Sequence, residues 1–238
     1  MFKHLLDIIY PVSCAVCGVP SEKHICNKCR SAITLHPAIE CCSVCGKIMM
    51  EVAAAGLVAS TCTQCRRTPP RFDMARSAAT FTGTVRTLIH KFKYNRATWL
   101  RQELAELLQG CMIANFSKEK IDIMCPVPLS TSKEKSRGYN QAGLLTENLS
   151  RSAAVPNVPQ VLQRKRDTQT QTFLDAKERR KNVADAFFSP KEMFPWVYGR
   201  CVLIIDDVMT TGATLSECAA TLKANGAERV LAITIARD

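Results

Sequence analysis

Hydrophobic positions near the end of the chain fall into blocks with different periods. Residues 202–205 are an unbroken Val-Leu-Ile-Ile run, and residues 229–236 are apolar at Val230, Leu231, Ile233 and Ile235. Continuous apolar runs ending in polar turns are typical of strands covered on both faces. Between them Leu215, Cys218, Ala219 and Leu222 recur at helical spacing, and Asn225-Gly226 supplies a stop. This pattern predicts a right-handed βαβ unit with parallel strands. Upstream, Val85, Leu88, Ile89 and Phe92 mark an amphipathic helix after Gly83, and residues 97–113 mark a second, with Leu100, Leu104, Leu107 and Leu108 as its stripe. Residues 121–127 read as a strand ending in prolines, a helix carries Leu144, Leu145 and Leu149, and Val183, Phe187 and Phe188 belong to another strand. The sum is an α/β fold.

The first third differs. Phe2, Leu5, Leu6 and Ile9 share a helical face, interrupted by Asp7 and followed by no small-residue cleavage site. They predict a short docking helix rather than a signal peptide. The apolar stretch 48–60 contains Glu51 and is too short to span a bilayer. A cytoplasmic protein without a membrane span is expected.

Thirteen cysteines are many for such a compartment, where paired cysteines are more often metal ligands than disulfides. Eight of them form four C-x-x-C knuckles: Cys14 with Cys17, Cys26 with Cys29, Cys42 with Cys45, and Cys62 with Cys65. One knuckle aims two sulfurs at a point and two knuckles complete a tetrahedron, so two structural Zn2+ sites follow. Sequential pairing, as in two consecutive zinc ribbons, is the simplest. Cross-braced pairing stays open. Gly18 and Gly46 suit the tight knuckle backbone. Cys41 is a spare, and Cys111, Cys125, Cys201 and Cys218 sit in apolar patterns as small core residues. The cysteine-rich module is placed at residues 10–68. Arg66-Arg67-Thr68-Pro69-Pro70 reads as a linker, and the α/β domain is placed at residues 72–238.

The turn after residues 202–205 carries the chemistry. Asp206 and Asp207 are followed by Thr210, Thr211, Gly212, Ala213 and Thr214 at the start of a helix. Backbone N–H groups and hydroxyls there form a nest suited to a phosphate. Two carboxylates beside such a nest need a different partner, and hydroxyls are the obvious one. A ligand with a phosphate at one end and vicinal hydroxyls nearby is a ribose 5-phosphate.

Residues 202–215 resemble the phosphoribosyl-pyrophosphate (PRPP) loop of the type I phosphoribosyltransferases. The resemblance implies that Asp206 and Asp207 hold the ribose hydroxyls and act in catalysis, and that Thr210, Thr211, Gly212, Ala213 and Thr214 hold the 5-phosphate. It further implies Mg2+ bound with PRPP, and a mainly parallel sheet flanked by helices. The loop after strand 121–127, at Ser130, then meets pyrophosphate, and a mobile basic loop with Lys133, Lys135 and Arg137 closes over it to offset charge. Arg137-Gly138-Tyr139-Asn140-Gln141, together with the knuckles, resembles the ComF family of bacterial competence and DNA-utilisation proteins. Arg164 to Gln171, followed by Arg179-x-x-Asn182, agrees with that family.

Charge extends the picture. The net charge is +11, and residues 71–181 hold 20 Lys/Arg against 10 Asp/Glu. A basic middle suits a polyanion. With the resemblance, it points to single-stranded DNA contacted by Arg86, Lys91, Lys93, Arg96, Arg137, Arg164, Arg166 and Arg179. Three functions are compatible with these features. One is a PRPP-binding protein of DNA uptake or utilisation. Another is an active nucleobase or nucleotide-salvage phosphoribosyltransferase. The third is a zinc-dependent docking protein for a DNA-uptake helicase or other competence protein.

Overall fold

The structure, a computed structural model, describes residues 12–37, 40–49, 60–165, 178 and 183–238. The N-terminal docking helix, most of the apolar stretch 48–60, Arg166 and Arg179 lie outside the described residues. The elements in chain order are α1 (Asn27–Ser31), α2 (Thr63–Arg67), β1 (Met74–Thr80), α3 (Gly83–Tyr94), α4 (Arg101–Phe116), β2 (Ile123–Pro126), α5 (Thr131–Arg137), α6 (Gln141–Ala153), β3 (Gln163–Arg164), β4 (Phe187–Phe188), α7 (Phe194–Val197), β5 (Cys201–Met209), α8 (Ala213–Ala224) and β6 (Arg229–Arg237).

Four strands form a parallel sheet in the order β1-β6-β5-β2, with β5 and β6 at its centre. The expected βαβ unit is β5-α8-β6, with Leu203 opposite Leu231 and Ile205 opposite Ile233. Side chains alternate across a strand. On one face Leu203, Ile205, Leu231, Ile233 and Ile235 pack with Leu88, Phe92, Leu104, Leu108, Leu145 and Leu149 of α3, α4 and α6. On the other, Val202, Ile204, Val230 and Ala232 pack with Leu215, Cys218, Ala219 and Leu222 of α8. Coverage on both faces explains why these strands are apolar without alternation.

Several boundaries differ from the sequence pattern. Helix 97–113 begins with a 3-10 turn at Thr98–Leu100 and runs on as α4 to Phe116. Residues Phe187 and Phe188 form a two-residue antiparallel pair with Gln163 and Arg164, and Val183 lies outside that strand. The basic segment expected as a loop contains the short helix α5. Its exit is Gly138, at φ 84°, a conformation that a side chain disfavours.

The cysteine-rich module packs along the outer edge of β1. The N–H of His36 donates to the Ala78 carbonyl at 2.9 Å, that of Thr80 to the Thr34 carbonyl at 3.0 Å, and that of Ala75 to the Val44 carbonyl at 2.7 Å. An edge strand that would otherwise offer unpaired backbone is covered by this module. The approach is close at Gly46, where a Cβ would lie 2.9 Å from the Ala75 carbonyl oxygen. Among the described residues, no helix is long and apolar enough to cross a membrane.

Candidate functional site

The sulfurs of Cys14, Cys17, Cys26 and Cys29 converge to within 4.8 Å of one another, and so do those of Cys42, Cys45, Cys62 and Cys65. The knuckles therefore pair sequentially, and cross-bracing is excluded. Sulfurs held at about 2.3 Å around a tetrahedral zinc stand about 3.8 Å apart. The Cys17–Cys26 and Cys45–Cys62 separations are 3.7 and 3.8 Å. Backbone N–H groups also converge on one sulfur of each set. Val16 and Cys26 donate to Cys14 Sγ, and Cys45 and Cys62 donate to Cys42 Sγ. Burial opposes ionisation, but backbone donors outweigh it and bring the Cys14 thiol down to about 6 and the Cys42 thiol to about 7. Both donor sets fit structural zinc held by four thiolates. Cys41 is half-buried and stands outside the clusters, whereas Cys111, Cys125, Cys201 and Cys218 are buried core residues.

The second site lies where β5 runs into α8, at the carboxyl edge of the sheet, which is where open α/β sheets place ligands. Asp206 and Asp207 belong to the end of β5 rather than to the turn. As strand neighbours they project to opposite faces. Asp207 turns to the α3 side, where Lys93 Nζ lies 2.8 Å from its Oδ1. Its other oxygen, Oδ2, is buried with no hydrogen-bond partner among the described residues. Burial works against the charge of Lys93, but Asp207 beside it prevails and raises its pKa. Asp206 accepts from the Asp207 N–H at 2.8 Å. Burial, and then the charge of Asp207, push the Asp206 carboxyl up to about 7, against the opposing fields of Lys93 and Arg164.

The turn continues through Thr210 and Thr211 to Gly212, which caps α8 at φ 76°. Thr211 Oγ1 accepts from the Ala213 N–H at 3.4 Å, and Thr214 stands in the first turn of α8. A Cβ on Gly212 would stand 2.6 Å from Met209 Cε. Backbone amides at a helix start, beside two carboxylates, can receive a phosphate on one side and hydroxyls or a cation on the other.

The second basic stretch frames this edge. Ser130 is buried at the start of α5, its Oγ 3.3 Å from Ser132 Oγ. Lys133, Lys135 and Arg137 lie on α5. The Arg137 guanidinium stands 5.4 Å from the Tyr94 ring centroid and donates to Gln141 Oε1. The Tyr139 hydroxyl donates to the Phe92 carbonyl. Asn140 caps α6, accepting from the Ala142 and Gly143 N–H groups and donating to the Val127 carbonyl at 3.1 Å. Residues 137–141 thus bolt α5, α6 and the end of α3 together.

The nucleic-acid candidates separate. Arg86 and Lys91 line a shallow groove on the outer side of α3 with Thr87, His90 and Asn95, and Arg96 is exposed just beyond it. Tyr94 and Trp99 are exposed nearby, and the ring of His24, close to the first zinc cluster, lies 4.3 Å from that of Trp99. Lys93 leaves this face for Asp207. Arg164 also leaves the open surface: it lies 5.3 Å from the Phe187 ring centroid, donates to the Pro128 carbonyl at 3.4 Å, and reaches Asp206 with its field. For Arg164 the sequence pattern carries no signal of this placement. The signal for Lys93 is its register, one residue past the buried Phe92 and so next to the apolar face of α3.

Comparisons with known proteins agree with this architecture. The family described as a double zinc ribbon domain matches residues 5–66, and the phosphoribosyl transferase domain matches residues 121–238. A Haemophilus influenzae protein named competence protein F is 32% identical over 222 residues, covering 91% of this chain and 92% of that protein. The chain belongs to the ComF family. Other ComF relatives include a Salmonella typhi DNA utilization protein, 32% identical over 92% of this chain and 94% of its own length. The Bacillus subtilis competence protein ComFC is 29% identical over 92% of this chain and 86% of its own length. This ComF chain therefore joins a double zinc ribbon to a phosphoribosyltransferase-type α/β domain.

Proposed function

We propose that this ComF protein binds PRPP, or another 5-phosphorylated ribose, with Mg2+ at the β5–α8 turn, and acts in the cytoplasm in DNA uptake or utilisation. The observation that carries the reading is Asp207 Oδ2, a buried carboxylate oxygen without a partner among the described residues, next to the amide-lined turn at Gly212. Burying an unsatisfied charged acceptor costs free energy, so such an atom marks a place where a ligand completes the bonding. In this reading the turn from Thr210 to Thr214 takes the 5-phosphate and the acid pair takes the ribose hydroxyls. Ser130, Lys133 and Arg137 approach the pyrophosphate. Asp207 fits Mg2+ because its unpartnered Oδ2 is a hard carboxylate oxygen. When bound, the cation supplies charge neutralisation at the diphosphate.

Names of the relatives support a role with DNA. The basic row Arg86, Lys91 and Arg96, flanked by the exposed rings of Tyr94 and Trp99, supports single-stranded DNA as the polyanion, because cations track the backbone and aromatic rings stack on bases. The deciding experiment is calorimetric titration with PRPP and Mg2+. Wild type should bind, and Asp206→Ala/Asp207→Ala should not. Equal binding by both, or binding by neither, removes the assignment.

A second reading is turnover. Lys133 and Arg137 lie on α5, which follows the strand β2 that pairs with β5, and cations there would stabilise departing pyrophosphate. A pyrophosphate-release screen over bases, nucleosides and DNA ends separates an enzyme from a PRPP-sensing protein. A third reading, docking of a DNA-uptake helicase through the zinc ribbons, draws support from the contact between His24 and the exposed Trp99 beside the first cluster.

A further inference from the structure

We propose that Lys93 is an internal counter-ion that competes with a divalent cation for Asp207, so that cation capture requires the ammonium to swing away. This deepens the sugar-diphosphate reading of the same turn, and rests on it only for the identity of the ligand that brings the cation.

The argument starts from an incomplete ion pair. Lys93 Nζ meets Asp207 Oδ1 at 2.8 Å, while Oδ2 of the same carboxylate, 3% exposed as a residue, is buried with no partner among the described residues. A buried ion pair kept for the fold alone has its remaining acceptor capacity filled, because a half-satisfied pair is worse than an apolar one. Here one ammonium covers one oxygen. Asp206, next along the strand, projects to the other face. The unfilled oxygen of Asp207 is a hard donor of the kind Mg2+ and Mn2+ take, with water and a ligand's own oxygens completing the shell.

The choice of lysine matters. Its ammonium is a compact point charge on a flexible stem, so it can leave without dismantling a bidentate fork. The backbone beneath it is fixed: Phe92 is fully buried and its carbonyl accepts from the Tyr139 hydroxyl. Motion is therefore confined to the side chain. A released ammonium stays at the same sheet edge, where it can pair with a phosphate oxygen of the arriving ligand.

The test uses the zinc-loaded full chain and Mn2+ without any sugar phosphate, with free Mn2+ followed by electron paramagnetic resonance. Lys93→Met should bind Mn2+ about tenfold or more tighter than wild type, a change of about 1.4 kcal/mol. Lys93→Arg keeps the charge and offers a fork that can cover both oxygens, so it should bind Mn2+ no tighter than wild type. The double variant Lys93→Met/Asp207→Asn removes both charges, so it leaves no unpaired ion to unfold the protein, and the gain should vanish. If Lys93→Met binds Mn2+ no tighter than wild type, or the gain survives Asp207→Asn, the proposal is overturned. A parallel PRPP titration separates the two claims. Failure of wild type to bind PRPP while the Mn2+ pattern holds removes the sugar-diphosphate reading and leaves the counter-ion in place.

Discussion

Arg237, at the end of β6, lies against Cys45 of the second zinc cluster. Its Nη2 stands 3.7 Å from Cys45 Sγ, while Nη1 donates to the Cys45 carbonyl and reaches Met209 Sδ at 3.4 Å. Met209 closes β5, and its methyl group occupies the space that a Cβ on Gly212 would need. One guanidinium thus connects a cysteine cluster to the turn proposed to bind phosphate.

That connection makes the two clusters unequal. Metal analysis should return two zinc per chain, and chelation should lower the melting temperature because thiolate sites supply folding free energy. Cys62→Ser, in the second cluster, should weaken PRPP binding more than Cys17→Ser in the first. Equal losses, measured by calorimetry on folded protein, would remove the coupling through Arg237.

Gly212→Ala should destabilise the protein by about 1–2 kcal/mol, the cost of a left-handed conformation for a residue with a Cβ. The flexible end of Met209 can yield, so the backbone is the larger part of the cost. Denaturant unfolding reads this directly. Asn, which tolerates φ near the observed 76°, should cost less than Ala.

Asn140→Ala removes a cap for two N–H groups of α6 and a donor to the Val127 carbonyl. A loss of about 1 kcal/mol is expected in denaturant unfolding. Tyr139→Phe deletes the donor to the Phe92 carbonyl and should loosen the last turn of α3, seen as faster amide exchange there. Unchanged exchange would detach residues 137–141 from the placement of Lys93.

Charge reversal at Arg86 and Lys91 should lower single-stranded DNA affinity. The slope of log K against log salt should become shallower by about 0.7 for each phosphate that is no longer neutralised. PRPP binding should be unaffected, since these residues line the groove with Thr87 and His90, whereas Lys93 is the residue of α3 that pairs with Asp207. Lys93→Glu should do the opposite, disturbing the carboxylate site first. Salt-insensitive DNA binding would remove the α3 face as the binding surface.

Much of the molecule is readable before any fold is known, because its strongest signals are local. Four C-x-x-C knuckles carry their geometry in a few residues each, and the run from Val202 to Leu215 encodes strand, acids, glycine turn and helix in one continuous stretch. Tertiary packing decides what depends on residues far apart in the chain. It pairs the knuckles sequentially and lays them along β1. It also sends Asp206 and Asp207 to opposite faces of β5, because neighbours on a strand must diverge. Lys93, more than a hundred residues away in sequence, reaches Asp207 because α3 packs over that face of the sheet. A helical pattern shows which side of α3 is apolar, but not which strand end waits beneath its last turn.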